Sequence, residues 1–187
     1  MSDFVYHPEN HTGYFGERQG ISVTQVIDAN GLIPPQAKQP WYAERGKLIH
    51  LAAKYFWLNT LDYSSLDPRI VPFIESLDKW VYAARFRAKD TETLKWLEEY
   101  LLFGTRDVTG LLSPDDLLLD LKSGAHGPAC QFQTAGYDLL DPAPRRKRGC
   151  LHLNEFGKQA IFYPHRDRTD RQQFLICLAK AREGMDG

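Results

Sequence analysis

The sequence has few cysteines, no long apolar run and no excess of either charge. Its three cysteines, Cys130, Cys150 and Cys177, lie far apart and form no CxxC pair. This spacing argues against a zinc ribbon, leads us to expect no iron–sulfur cluster, and favours a reducing compartment. No apolar run approaches the roughly 20 residues that cross a bilayer, and the N-terminus has no secretory h-region. We therefore expect a cytoplasmic protein with no membrane contact.

Net charge and length limit how the protein could bind nucleic acid and how many domains it has. The 187 residues carry 23 Lys and Arg against 24 Asp and Glu, a formal net charge of −1. A nucleic-acid contact would therefore have to come from local basic patches. The length suits one domain with a sizeable core. We predict a flexible arm over residues 1–20, which are polar and turn-rich, and a single domain over residues 21–187.

Helical periodicity dominates the first half of that domain. Ser22 or Thr24 can cap a short helix that ends at Asn30-Gly31. A second helix over residues 41–58 is predicted to turn one apolar stripe inward: Leu48, Leu51, Ala52, Tyr55 and Leu58. Asp67-Pro68 marks the start of a third helix, and a charged loop is predicted at residues 87–90.

From residue 94 onward the pattern predicts a sheet. Gly104 and Gly110 favour strands within residues 94–112, and the apolar run 117–121 is typical of a buried strand. Residues 149–163 indicate a hairpin, and helices are predicted at 131–140 and from Thr169 or Asp170 onward. This order predicts an α/β or α+β fold with a central mixed β-sheet flanked by helices.

Three charged residues stand out in the predicted sheet. Asp120 and Lys122 are two apart on an apolar strand, so they share one face of it. A turn at residues 113–116 would fold the segment of Asp107 back beside that strand, and the two carboxylates would converge. Carboxylate oxygens are the ligands that Mg²⁺ and Mn²⁺ prefer, and an ammonium can orient water or neutralise phosphate charge. A bound ion would lower the pKa of attacking water and stabilise the leaving oxygen.

Each of these residues also has a purely structural explanation. Asp107 could be an ordinary turn aspartate before Gly110, and Asp120 with Lys122 could be a salt bridge at a strand end. Their joint occurrence in this order, with Gly124 soon after the lysine, favours a site.

The run GTRDVTG…LLLDLKSG…QFQTAGY resembles the core of the PD-(D/E)xK nuclease superfamily, in its RecB-type and phage exonuclease branch. Gly104 to Asp107 match the G-x-x-D strand, Asp120 to Lys122 the D-x-K strand, and Gln133 to Tyr137 the Q-x-x-x-Y helix. Upstream, Gly46 to His50 is similar to the G-x-x-x-H motif of that branch. The similarity spans roughly residues 20–183 and implies a restriction-endonuclease-like core.

The resemblance also implies roles. Asp107 and Asp120 would bind Mg²⁺ or Mn²⁺, with the carbonyl of Leu121 as a further ligand, and Lys122 would serve the nucleophilic water. His50 would complete the metal shell or contact phosphate; the alternative is a half-buried helix histidine. Gln133 and Tyr137 share a helix face and could reach the lysine or the substrate, or simply form a helix–sheet contact.

Other features leave alternatives open. Many relatives have a glutamate before the G-x-x-D strand; Glu98 and Glu99 are close, but the sequence does not say whether either faces the metal. A basic run can bind DNA or be a solvated loop: Arg145, Arg146, Lys147 and Arg148. The spacings His126-x-x-x-Cys130 and Cys150-x-His152 suggest zinc, but no second pair fits, so we set zinc aside.

The expected function is a Mg²⁺- or Mn²⁺-dependent DNase that hydrolyses phosphodiester bonds with metal-activated water. An exonuclease of phage or bacterial recombination or repair fits best, in the cytoplasm of a bacterium or infected host, with DNA as the main partner. A recombinase or single-strand-binding partner, and an oligomer, are compatible with this expectation. The main alternative is a catalytically weak DNA-end-binding module or subunit, and a more remote one is a structural protein that binds a cation for stability.

Overall fold

The computed structural model describes residues 3–35, 39–124, 127–143 and 146–184. Its helices are α1 (Val23–Ala29), α2 (Pro40–Trp57), α3 (Val71–Ala84), α4 (Ala129–Leu140) and α5 (Asp170–Glu183). Its strands are β1 (Phe4–His7), β2 (Thr12–Phe15), β3 (Arg18–Gln19), β4 (Ile21–Ser22), β5 (Arg87–Leu97), β6 (Leu102–Leu112), β7 (Asp115–Lys122), β8 (Lys147–His152) and β9 (Ile161–His165). Among these residues, no helix is both long and apolar enough to cross a membrane.

The central sheet is mixed, as predicted. β6 pairs antiparallel with β5 along one edge and with β7 along the other, β7 and β8 are parallel, and β9 returns antiparallel to β8. The short β4 runs parallel to the start of β6. The turn after residue 112 does fold β7 back beside β6, with Val108 opposite Leu119.

Helices cover both faces of this sheet. Alternate residues of β7 separate the two cores: Leu119 and Leu121 pack in the core with α2 and α3, whereas Leu118 packs with α1, α4 and α5. Alternation along a strand therefore leaves Asp120 on the α4 side. The predicted fold class, an α+β fold with a mixed central sheet between helices, is confirmed.

The first helix begins with a reciprocal cap. The Ser22 side chain accepts the backbone N–H of Gln25, and the Gln25 side chain accepts the N–H of Ser22. This capping box satisfies two of the N–H groups that a helix start leaves without intrahelical partners. It fixes α1 directly after β4, and of the two predicted caps, Ser22 and Thr24, the structure uses Ser22.

The described part of residues 1–20 has regular structure where the sequence predicted a loose arm. β1, β2 and β3 form a small antiparallel sheet. Its aromatic side chains pack on the central sheet: the ring of Phe4 stacks on Trp96 at 4.9 Å and Phe15 is fully buried. The strands are too short, and their alternation too weak, for the sequence pattern to distinguish them from turns.

Three local predictions were wrong. Residues 87–90 begin β5 and are not a loop, because β6 supplies a pairing partner that local polarity does not reveal. The third helix starts at Val71; Asp67 instead accepts hydrogen bonds from Arg69 in a turn before it. On α2 the buried residues are Ile49, Ala52 and Ala53, while Leu51, Tyr55 and Leu58 are about half exposed.

Candidate active site

The candidate site lies where β6 and β7 separate. Their pairing runs from the turn only to Val108 and Leu119, and β4 covers the same edge of β6 at Leu102 and Phe103. Among the described strands, none pairs with β6 on this edge at Asp107. The Asp107 carboxylate fills the fork, where its Oδ2 accepts the backbone N–H of Leu121 at 2.6 Å. A backbone donor of the diverging strand therefore holds the carboxylate in place.

Two further side chains reach Asp107 from other elements. His50, on α2, places Nδ1 3.3 Å from Asp107 Oδ1 and 3.8 Å from Oε1 of Glu92, on β5. One ligand atom from each residue lies within 4.8 Å of the other two. One imidazole and two carboxylates are a donor set that suits a divalent ion such as Mn²⁺. These three residues form a candidate metal centre.

Glu92 belongs to this candidate metal centre, and the sequence analysis missed it. The pairs Thr91 with Val108 and Thr93 with Arg106 place Glu92 across from Asp107. Its backbone is left-handed, with φ 49°, which is uncommon for a residue other than glycine and costs on the order of 1–3 kcal/mol. Glu98, which the sequence analysis considered, has its Oε1 3.6 Å from Nη2 of Arg18. Residues Glu98–Tyr100 form the 3₁₀ turn between β5 and β6.

Asp120 and Lys122 point to the same side of β7. Lys122 Nζ lies 2.6 Å from Asp120 Oδ2, and it also donates to Oε1 of Gln133, on α4, at 2.9 Å. The amide of Gln133 donates to the hydroxyl of Tyr137 at 3.0 Å. The structure thus brings the D-x-K pair and the helix pair into one hydrogen-bonded chain. Leu121 reaches this site through its N–H, so a role for its carbonyl stays a prediction.

Burial and charge shift the pKa values in opposite directions across the site. Burial raises the pKa of Asp120 to about 6, although Lys122 opposes the shift. Burial would also raise the pKa of Asp107, but His50, Lys122 and the Leu121 N–H outweigh it and lower that pKa. For His50, burial alone would lower the pKa, but the charge of Asp107 and hydrogen bonds with Asp107 and Glu92 outweigh it and raise the pKa to about 10. The Lys122 pKa is raised, because Asp120 and Asp107 outweigh burial.

Asp120 has an oxygen without a partner. Among the described residues, Oδ1 of Asp120 is buried and accepts no hydrogen bond, while Oδ2 is bonded to Lys122. A buried acceptor left unsatisfied costs about 1–3 kcal/mol. A cation beside Asp120 would satisfy this oxygen, whereas His50, Glu92 and Asp107 are the donors that lie within 4.8 Å of one another, without Asp120. The residues present therefore fit a divalent metal ion.

The basic run lies at the other end of the sheet. Lys147 is opposite Leu117, whereas Asp120 and Lys122 are opposite Cys150 and His152, so three to five residues of strand, roughly 10–17 Å, separate Lys147 from the level of Asp120 and Lys122. Arg146 is bonded to Asp138 and Arg148 to Asp170, and both arginine side chains are nearly buried. Lys147 is paired with Asp115 but exposed. Arg145 lies outside the described residues.

Two cysteines and a histidine lie behind Asp120. Cys150 Sγ donates to Asp120 Oδ2 at 3.4 Å, and Cys130 Sγ lies 3.9 Å from Nε2 of His152. Burial raises the pKa of the Cys150 thiol. The two spacings that suggested zinc thus meet in space, although His126 lies outside the described residues.

Comparison with known proteins supports the fold. No family model matches the sequence, and no curated protein matches it. Among solved structures, an alkaline exonuclease from Laribacter hongkongensis, LHK-Exo, aligns with a TM-score of 0.50 and 10% identity over 89% of this chain and 88% of that one. The same enzyme in complex with dAMP gives the same values. SSO0001 aligns with a TM-score of 0.46 and 14% identity, over 88% of this chain and 75% of that one. The chain is therefore similar in fold to an alkaline exonuclease.

Proposed function

We propose that this protein is a metal-dependent DNA nuclease of the PD-(D/E)xK type, and that it acts as an exonuclease. The observation that carries the proposal is the convergence of Asp107, Asp120 and Lys122 at the fork between β6 and β7. An acid cluster buried at such a point is unfavourable for folding, and a role in binding a cation explains it. The similarity in fold to an alkaline exonuclease supports the same conclusion by analogy.

The metal ligands would be His50, Glu92, Asp107 and the unpaired Oδ1 of Asp120. When bound there, Mg²⁺ or Mn²⁺ would activate water and neutralise charge on the phosphodiester. His50 must give up its proton to become a ligand, so binding would release a proton. The buried carboxylates would hold a scissile phosphate group near Lys122 only with a bound ion, because acids alone would repel it.

Lys122 acts in this proposal as a cation. Its raised pKa keeps the ammonium protonated in the metal-free site, so it would donate hydrogen bonds to the attacking water or to the phosphate oxygens. Gln133 accepts from the ammonium and is itself bonded to Tyr137. We propose that Gln133 and Tyr137 orient the Lys122 ammonium. Both therefore stay among the proposed catalytic residues.

Several coarser expectations also stay proposals. We propose DNA as the substrate, with Lys147 as the described member of the basic run that is exposed enough to contact phosphate. We propose that residues 21–187 form the nuclease domain. A recombinase or single-strand-binding partner would use surfaces away from the fork.

One set of assays tests the function. End-labelled linear duplex, linear single strands and closed circular DNA are incubated with Mg²⁺, Mn²⁺ or EDTA, using the native protein, Asp120→Ala and Lys122→Ala. We expect metal-dependent loss of the linear substrates only, and no cleavage by either variant. Binding to ends without cleavage would favour the DNA-end-binding module instead, and full activity of Asp120→Ala would place the site elsewhere.

A further inference from the structure

A fully buried thiol supports Asp120 from the next strand. Cys150 is directly opposite Asp120 in the parallel pairing of β7 and β8, and it has no exposed surface. Its Sγ donates to Asp120 Oδ2 at 3.4 Å. The S–H group of cysteine is a weak hydrogen-bond donor on a small and otherwise apolar side chain. It can therefore lie against a carboxylate in the core without bringing a second charge.

The two oxygens of Asp120 have unequal surroundings. Oδ2 is held by Lys122 at 2.6 Å and by Cys150 at 3.4 Å, whereas Oδ1 has no hydrogen-bond partner among the described residues. With two donors on one oxygen, rotation of the carboxylate about its Cβ–Cγ bond would break both contacts. The arrangement therefore presents one defined oxygen to a ligand.

Cys150 is in turn held from behind. Cys130, in the first turn of α4, lies within hydrogen-bonding reach of this thiol. Because the single S–H of Cys150 is donated to Asp120, Cys150 can only accept from Cys130. Cys130 lies 3.9 Å from Nε2 of His152, and Nδ1 of His152 lies 3.1 Å from the carbonyl of Gly124. This layer fixes the thiol between helix α4 and strand β7. The Cys150 side chain therefore has little conformational freedom, and the direction in which its S–H points towards Asp120 is well defined.

We propose that Cys150 is a positioning residue for the metal ligand Asp120: its thiol shares Oδ2 with Lys122 and so leaves Oδ1 for the divalent ion. This inference rests on the proposed function, because it requires that Asp120 binds metal. Residues that orient metal ligands from behind change metal affinity by about 10–100-fold when they are replaced. A thiol is a weak donor, so we expect an effect near the lower limit.

The test measures Mn²⁺ affinity by isothermal titration calorimetry, which needs no DNA and no turnover. We compare the native protein with Cys150→Ala, Cys150→Val and Cys150→Ser. Alanine and valine remove the donor, and valine also refills the volume, so a folding defect from a cavity is separated from loss of the hydrogen bond. Serine restores a donor. Cys177→Ser, on α5 and away from the fork, is the matched control, and thermal unfolding in EDTA checks the fold of each variant.

We expect the Kd for Mn²⁺ to rise about tenfold in Cys150→Ala and Cys150→Val, to return towards the native value in Cys150→Ser, and to stay unchanged in Cys177→Ser. If the serine variant binds as weakly as the valine variant, or if all of them match the native protein, the positioning role is overturned. Asp120→Asn separates the two proposals: Mn²⁺ affinity that survives this change would instead overturn the assignment of Asp120 as a ligand.

Discussion

The two ends of strand β7 carry the same kind of ion pair in different surroundings. At one end Lys122 lies 2.6 Å from Asp120, and at the other Lys147 lies 2.5 Å from Asp115. The side chain of Asp120 is 1% exposed and that of Lys122 26%, against 31% for Asp115 and 63% for Lys147. Distance alone does not distinguish the pairs; burial, and the unpaired oxygen of Asp120, do.

Hydration explains why burial changes the free energy of an ion pair. An exposed pair such as Lys147 with Asp115 is screened and contributes about 0–1 kcal/mol. At the buried end, both charges have lost much of their hydration, which their mutual attraction does not reliably repay. Such an arrangement is expected where the charged groups also bind a ligand, which agrees with the metal site proposed at Asp107, Glu92 and His50.

The largest expected difference between the ends is in catalysis. Lys122→Met should lower kcat for linear DNA by about a hundredfold to a thousandfold, the usual cost of removing one donor to a developing negative charge. Lys147→Met, at the exposed end, should leave kcat unchanged. Single-turnover cleavage at saturating Mn²⁺ measures both. Equal losses in the two variants would contradict the distinction drawn between the pairs.

Replacing Glu92 tests whether this residue belongs to the metal centre at the buried end of β7. Glu92→Gln keeps the side-chain shape but removes one carboxylate from the candidate metal centre, so the Mn²⁺ affinity should fall by at least about tenfold. Glu98→Gln is the matched control, because Glu98 lies in the turn near Arg18. Mn²⁺ titration of both variants provides the measurement. An unchanged affinity in Glu92→Gln would remove this residue from the centre.

Glu92 also shows what the sequence could and could not predict. Local patterns predicted β6, β7 and the helix of Gln133, and strand alternation placed Asp120 and Lys122 on one face. Glu92 was missed because residues 87–90 look like a charged loop when β5 is read alone. With the turn at Glu98–Tyr100 known, counting outward through the hairpin brings Glu92 opposite Asp107. The missing information was the pairing partner.

Tertiary pairing accounts for the other differences. The N-terminal strands depend on aromatic packing against Phe103 and Trp96, which local turn signals do not contain. The role proposed for Cys150 depends on the register of β8 against β7. The inward stripe of α2 was misjudged because Leu51 and Tyr55 fit helical spacing as well as Ile49 and Ala53 do, and packing against the rest of the fold leaves the first two half exposed.

The buried end should also respond to pH. His50 has a pKa raised to about 10, whereas a ligand imidazole must be neutral. Between about pH 6, the raised pKa of Asp120, and about pH 10, binding of one ion releases one proton from His50, so Mn²⁺ affinity should rise about tenfold per pH unit; below about pH 6 the slope should steepen, because Asp120 must lose a proton as well. Calorimetry in buffers of different ionisation enthalpy counts the protons. His50→Gln should flatten the slope, and Asp115→Asn, at the exposed end, should not; a flat native profile would contradict a ligand role for His50.

The same shift predicts a trend in the stability of the metal-free protein. Because the folded pKa of His50 lies above its unfolded value of about 6.5, its ion pair with Asp107 stabilises fully below that pH. The contribution is lost as the pH rises through about 10. Urea unfolding in EDTA should therefore show stability that declines over this range, and less so in His50→Gln.

The smallest expected effect concerns DNA affinity at the exposed end. Lys147 is the described cation of the basic run with a largely exposed side chain, and its charge is already shared with Asp115. Lys147→Ala should lower the salt dependence of DNA binding by no more than about 0.9 in the slope of log K against log salt, the value for one phosphate contact. Asp115→Ala should act in the opposite direction, because it frees the ammonium for phosphate. If neither variant changes the slope, the ion pair at this end supports only the structure, and DNA must approach the fork along another surface.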